Sequence, residues 1–447
     1  MKGTQGPNSV STKLQRIAEL ARRRPNEALT TLAHRIDMDL LKEAYRRTRK
    51  DGAVGVDGQS AGDYETGLED NLRSLLECFK SGTYQAPPVR RVYIPKGGGR
   101  TRPIGIPTFE DKVLQRAVTM VLEAIYEQEF VTWSYGFRPA RSAHQALQGL
   151  WEEITKMGGA WVVEVDIQSF FDSMSHSHLR SFLDQRVRDG VLRRAIDKWL
   201  KAGVLEEGQL VYPDEGTPQG GVISPMLANI YLHEVLDRWF EAEVKPRLKG
   251  RSSAVRYADD FALVFSSEQD ARRVLAVLPE RFGRYGLTLH PDKTRLVDFR
   301  RPGRRPTGPG PRKPGTFDLL GFTHHWAKSW RGNKWVVRRR TMHSRFSRAI
   351  KAFARWCRTH RHDAIAEQHK SLACKLQGHY AYYGITGNAQ ALGRLAYEVE
   401  CVWRKWLDRR SQRARMTWEK FRRLRQRYPL PPPRVVHSVY RRSKSAT

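Results

Sequence analysis

The stretch RYADDFALVF (256–265) sets two carboxylates, Asp259 and Asp260, side by side in a run that otherwise reads as buried strand. Tyr257, Phe261, Leu263, Val264 and Phe265 all favour a pleated, packed setting. A buried carboxylate is costly without a cationic partner, and two adjacent ones repel each other. A second stretch, WVVEVD (161–166), puts Asp166 at the end of another apolar strand. If that strand lies beside the 255–265 hairpin, three carboxylates are expected to converge without a lysine or arginine to balance them. Divalent cations would resolve the repulsion, and sites made only of oxygen suit magnesium. Two such ions about 4 Å apart stabilise both the attacking and the leaving oxygen of a phosphoryl transfer. A tight solvated turn satisfies the Asp–Asp pair equally well, so the neighbouring stretches decide.

VYIPKGGGRTRPIGIP (92–107) places Lys96 and Arg102 on either side of a glycine-rich turn. A hairpin so built can close on a triphosphate, with Arg102 binding as a fork and Lys96 as a point charge. Solvated basic hairpin tips are common, and this one carries little alone. GTPQGGVISPMLANIYL (216–232) is a compact turn followed by a helix with Ser224-Pro225 in its first turn. Gln219 can offer both a donor and an acceptor to a nucleotide, and the glycines allow close backbone approach. The same turn also serves as a helix cap. Phe170 and Phe171 follow Asp166 by four and five positions, and core packing accounts for at least one of them.

These stretches need elements to hold them. Apolar spacing over 12–49 predicts two helices broken near Pro25, and 64–80 predicts another. Residues 89–107 read as two strands, 109–130 as an amphipathic helix, and 161–174 as a strand followed by a helix from Ser175. A long apolar helix is expected over 221–240, then the 253–266 hairpin, a helix over 268–285 and a strand at 294–299. RPGRRPTGPGPRKPG (301–315) is a loop or linker. From about 335 the pattern is helical, basic and aromatic, until the extended YPLPPPR (428–434).

The chain of 447 residues carries a net charge of +32. Residues 301–447 hold 35 Lys/Arg against 7 Asp/Glu, a net of +28, which leaves +4 for residues 1–300. So one-sided a distribution points to a nucleic-acid partner. The four cysteines, Cys78, Cys357, Cys374 and Cys401, have neither a paired nor a zinc-binding spacing, which fits a reducing compartment. No apolar run approaches the length of a membrane span, and the N-terminus lacks a secretion signal's apolar core. A soluble intracellular protein is expected.

The set VVEVDIQSFFD, TPQGGVISPMLANIYL, YADDFALVF, LTLHPDKT and FDLLGF, in that order, resembles a group II intron-encoded reverse transcriptase/maturase along almost the whole chain. The resemblance implies an α+β, right-hand polymerase. An N-terminal extension (1–58) precedes fingers (59–160) and a palm with an antiparallel sheet (161–330). A helical thumb or maturase domain (331–400) and a small basic DNA-binding region (401–447) follow. It implies that Asp166, Asp259 and Asp260 form the catalytic triad holding two Mg²⁺ ions. Asp166 and Asp259 are then the direct ligands, with the Ile167 backbone beside the metal and triphosphate. Phe171 becomes the gate under the sugar, Gln219 a nucleotide contact, and Lys96 with Arg102 the triphosphate clamp.

The partners so implied are deoxynucleotides, an RNA template with a DNA primer, the intron RNA and a target DNA. The setting is a bacterial cytoplasmic, nucleoid-associated ribonucleoprotein without membrane attachment. Only 19 residues follow Tyr428 and none is cysteine, which matches the lineage without the HNH endonuclease. A binding-only splicing cofactor has no need of three clustered carboxylates. A domesticated relative in DNA repair or phage defence would keep the same active site, and an RNA-synthesising polymerase is opposed by Phe171.

Overall fold

The computed structural model describes residues 7–97, 100–206, 209–211, 216, 220–303, 315–329, 332–411, 413 and 415–438. The chain begins with α1 (Pro7–Arg23), α2 (Met38–Arg47), α3 (Ala61–Glu65) and α4 (Leu68–Ser81). Strands β1 (Val89–Gly97) and β2 (Arg100–Ile106) lead to α5 (Phe109–Tyr126), α6 (Ala143–Met157), β3 (Gly159–Val165) and β4 (Ile167–Gln168). Next come α7 (His176–Asp184), α8 (Gly190–Leu200), β5 (Val204–Glu206), β6 (Gln209–Val211) and α9 (Ser224–Leu232). The hairpin β7 (Ser252–Tyr257) and β8 (Asp260–Phe265) precedes α10 (Glu268–Gly283), β9 (Thr288–Leu289) and β10 (Arg295–Arg300). Three strands, β11 (Phe317–Leu319), β12 (Phe322–Lys328) and β13 (Trp335–Thr341), give way to α11 (His343–Thr359), α12 (Ile365–Tyr383), α13 (Ala389–Asp408) and α14 (Trp418–Arg427).

This is a mixed α+β architecture in two compact units. One comprises Met1–Ala146, Val165–Leu263 and Ser267–Arg295; the other comprises Leu147–Glu164, Val264–Ser266 and Leu296–Thr447. The first is organised around α5, which Thr108 caps by accepting a hydrogen bond from the Asp111 N–H. Val113, Leu114, Ala117, Val118, Val121 and Ile125 are fully buried, so this helix is apolar on most of its circumference. Helices α1, α2 and α9 pack on it. A four-stranded sheet in the order β2–β1–β5–β6 carries the basic hairpin, with Ile94 opposite Arg102. A second sheet has the order β10–β3–β8–β7. Its inner strands explain their sequences: Val162, Val163 and Phe261 through Phe265 are all buried, which demands apolar runs rather than strict alternation.

In the second unit β11, β12 and β13 form an antiparallel sheet. Leu320 and Gly321, at φ +50° and +80°, make the turn of FDLLGF. The Tyr382 hydroxyl donates to the Leu320 carbonyl at 2.9 Å, which fixes that turn. Helices α11 to α14 enclose their own core of Leu372, Leu376, Leu392, Val399, Trp403 and Phe421.

Three expectations need correction. Beyond α1 the segment holding Leu29 and Leu32 is not helical: their apolar spacing serves a bridge between Leu29 and Val187 and a single 3-10 turn at Ala33–Arg35. The apolar helix at 221–240 keeps α geometry only to Leu232, then widens into π-type turns over His233–Asp237 and Phe240–Val244. Residues 335–341 form β13 rather than helix, because Val337, Arg339 and Thr341 alternate inward with period two.

Candidate active site

The hairpin of β7 and β8 turns on two residues, Ala258 and Asp259. Ala258 has φ +56°, a left-handed conformation that costs a residue with a Cβ about 1 kcal/mol. A buried polar frame holds it there. Arg256 is fully buried and donates twice to Asp237, at 2.8 and 2.5 Å. One of its Nη atoms also donates to Asn229 Oδ1 at 3.0 Å and to the Ala258 carbonyl at 3.2 Å. Asn229 in turn donates to the Gly136 carbonyl at 2.7 Å. The Arg256 backbone bonds in both directions to the preceding loop, to the Trp133 carbonyl and from the Tyr135 N–H.

Gly136 closes the frame from outside, since a Cβ there would stand 2.2 Å from the Ala258 nitrogen. Burial pushes the Asp237 carboxyl upward, but Arg256 and His233 outweigh that and hold it below its ordinary value. The Arg256–Asp237 pair is thus ionic and dry. It specifies geometry more than it adds stability.

Asp166 leaves β3 and enters a second turn. Ile167 and Gln168 pair with Leu289 and Thr288, so β9 lies alongside. The His290 N–H donates to the Asp166 carbonyl at 2.8 Å. Its side chain forms an ion pair with Lys293, which the fold brings from 127 positions away. The expectation of unbalanced carboxylates is therefore corrected: Asp166 has an internal counter-ion. Among the described residues no three His, Cys, Asp or Glu side chains stand close enough together to hold one ion.

The donor set is nonetheless suited to magnesium. Every candidate ligand is a carboxylate, Asp260 is exposed, and Asp166 and Asp259 are half-buried and reachable from solvent. The Lys293 side chain is 56% exposed and free to withdraw into water.

Two residues beyond Ile167, the chain folds into a turn at Ser169, whose φ is +46°. It buries Phe170 against Tyr231 and leaves Phe171 half-buried, the two rings 5.4 Å apart and edge-on. Gly216 docks on this turn: a Cβ there would lie 2.7 Å from the Phe171 carbonyl, and its N–H donates to Met174. Gly220 docks elsewhere, on β2, where a Cβ would meet the Gly105 carbonyl at 2.6 Å. Gln219 lies outside the described residues, between these two anchors. Arg102 is exposed on β2, opposite Ile94, and the β1 backbone carries Lys96.

A second buried network ends at the same loop. Asp111 accepts from the Tyr84 hydroxyl, from Trp199 Nε1 at 2.7 Å and from Gln115 Nε2 at 3.0 Å. Gln115 Oε1 accepts from the Ile223 N–H, at the start of α9. Burial outweighs these donors and pushes the Asp111 carboxyl up to about 6.

The structure thus places Asp166, Ile167 and Phe171 on one turn, and Asp259 with Asp260 on a hairpin. Sequence reasoning missed Lys293, Arg256, Asp237, Asn229 and Asp111. A signal existed for three of them. Arg256 interrupts an apolar strand, while Asn229 and Asp237 interrupt an apolar helix, and buried polar groups need partners.

Parts of the sequence match known proteins. The family described as reverse transcriptase (RNA-dependent DNA polymerase) matches residues 94–324, which is 231 of the 447. Protein YkfC of Escherichia coli is 36% identical over 329 residues, 64% of this chain and 84% of that protein. The group II intron-encoded protein LtrA of Lactococcus lactis is 40% identical over 225 residues, half of this chain and 37% of LtrA. Nuclear intron maturase 2, mitochondrial, of Arabidopsis thaliana is 27% identical over 235 residues, 44% of this chain and 30% of that protein. The matched segment thus spans little more than a third of LtrA. The chain belongs to the reverse transcriptase family.

Proposed function

We propose that the protein copies an RNA template into DNA by extending a primer 3′-hydroxyl with deoxynucleotides, and that it serves a group II intron. In that role it would bind the intron RNA to assist splicing and copy it during insertion at a target DNA. The observation that carries this reading is the pairing of a framed Asp259–Asp260 hairpin with the Asp166–Phe171 turn in a chain of this family. The right-hand layout, with the boundaries expected above, belongs to the same proposal.

Asp166 and Asp259 would hold two magnesium ions directly, with the Ile167 backbone beside them and Asp260 contributing to the local field. When bound, the ions activate the primer hydroxyl and neutralise the triphosphate. The frame around Arg256 keeps Asp259 oriented, so no reorganisation is needed when substrate arrives. Lys293 balances Asp166 beforehand, and ion binding competes with that pair. Phe171 stands where a ring clashes with a ribose 2′-hydroxyl, which selects deoxynucleotides. Arg102 and Lys96 hold the triphosphate, and Gln219 contacts the nucleotide.

The basic helices α11 to α14 suit the duplex and the intron RNA. Trp406 has Arg358, Lys405 and Arg409 within 5.9 Å of its ring, and Arg404 lies 4.4 Å over Trp418. Aromatic and cationic groups so interleaved fit nucleic acid. No helix of the described residues is long and apolar enough to cross a membrane. A nucleoid-associated ribonucleoprotein is the proposed setting.

The test is extension of a DNA primer on an RNA template with Mg²⁺ and deoxynucleotides. Wild type should give long products and Asp259→Ala none. A folded wild type that binds RNA without extending the primer would sink the polymerase reading.

A further inference from the structure

Phe137 is 55% exposed, and its backbone has φ +54°. A bulky residue rarely adopts this conformation, and here no packing accounts for it. Its neighbours Gly136 and Arg138 are both buried. Arg138 pins the loop by donating to Glu127 and to the carbonyls of Val131 and Ser134, at 2.7 and 2.8 Å. Arg141 donates to the Thr132 carbonyl at 3.1 Å. The loop is rigid, so the ring is held out by design of the backbone rather than by chance of a mobile segment.

What the ring faces is the catalytic hairpin. It lies 6.3 Å from the ring of Tyr257, tilted at 41°. Tyr257 immediately precedes the Ala258 turn, and the same loop's Gly136 presses on the Ala258 backbone. On the polymerase reading, on which this inference rests, the primer 3′ end must come within reach of Asp259 for chemistry to occur. An aromatic pair at the foot of that carboxylate, Phe137 exposed and Tyr257 half-buried, then meets the last base pair of the primer–template duplex.

We propose that Phe137 and Tyr257 form an aromatic platform that packs against the sugars and base edges of the terminal primer–template pair and holds the primer end in register with the carboxylates. Aromatic contacts tolerate every base sequence, as template copying requires.

The test compares wild type with Phe137→Asn and Phe137→Trp. Asparagine accepts a left-handed backbone, so Phe137→Asn should melt at the wild-type temperature or above. Its dissociation from a duplex ending in a chain-terminated primer should be about tenfold faster, the order expected from losing one aromatic contact to nucleic acid. In extension with a trap its products should shorten while KM for deoxynucleotide stays unchanged. Phe137→Trp should restore duplex retention.

Unchanged dissociation and product length in Phe137→Asn would overturn the proposal. So would a lowered melting temperature, which would make the ring structural. The dissociation measurement needs no catalysis. A wild type that binds the duplex but does not extend it would end the polymerase reading and leave the Phe137 comparison to be judged alone. A wild type that does not bind the duplex would overturn both.

Discussion

The hairpin at Ala258 and the C-terminal helices are held together in opposite ways. Around Ala258, chain segments from four places in the sequence converge on one turn through buried, fully directed contacts: Arg256, Asp237, Asn229 and Gly136. In α11 to α14 the interior is mostly apolar packing, with the buried Trp403–Gln368 hydrogen bond inside it, and the cations lean on tryptophan faces. Chemistry needs atoms placed within fractions of an ångström, which only mutually constraining polar contacts supply. Holding a polyanion needs charge spread over area, and individual placements matter little.

The contrast can be broken at its strongest point first. Arg256→Met leaves Asp237 buried with His233 but without its guanidinium partner, so stability should fall by about 3–5 kcal/mol in denaturant unfolding. Adding Asp237→Leu should recover most of that loss, because a well-packed apolar pair replaces a dry ionic one at little cost. Primer extension should not recover, since the Ala258 carbonyl and Asn229 remain without their donor. Full recovery of extension in the double variant would show that the frame is packing and not positioning.

Asp111→Asn tests the second network more gently. An amide nitrogen would face donors where an oxygen accepted, a loss of about 1–3 kcal/mol. Because folding raises the Asp111 pKa from 3.8 to about 6, the folded chain holds this proton more tightly than the unfolded one. That contribution to wild-type stability is complete below 3.8 and lost as pH rises to about 6. The variant lacks it. The gap between the two proteins should therefore narrow across that window in unfolding curves taken at several pH values, and a gap that widens would contradict the assignment.

The smallest effect is expected on the helices. Lys405 is exposed beside Trp406. Lys405→Ala should leave stability within about 0.5 kcal/mol and weaken duplex binding evenly across sequences. The slope of log affinity against log salt should shrink by about one unit. A loss confined to one template sequence would mean that Lys405 reads bases rather than charge.

The uneven legibility of the molecule follows the same division. Asp166, Asp259 and Asp260 stand out as candidates in the sequence because a carboxylate in an apolar strand is conspicuous. The basic helices could be read because net charge requires no knowledge of contacts. The hairpin at 89–106 and helices α5, α7 and α10 followed from local periodicity and caps. What stayed hidden was partnership. Arg256 reaches Asp237 across 19 positions and Lys293 reaches Asp166 across 127, and topology alone decides such meetings. The π-type turns that carry Asp237 were hidden for a related reason, since an apolar run does not reveal where a helix widens to aim a polar side chain.

The close approach of Gly136 to Ala258 bears on how pieces of such proteins could be exchanged. A chimaera that imported only residues 252–265 from a relative would set a foreign turn against a native loop with no room for a methyl group. The graftable unit is larger and discontinuous: the hairpin, the 133–141 loop, Asn229 and Asp237 travel together or not at all. Recombination between distant members should therefore favour junctions that leave this set intact, and variation should accumulate at the rim of the site before it reaches the turn.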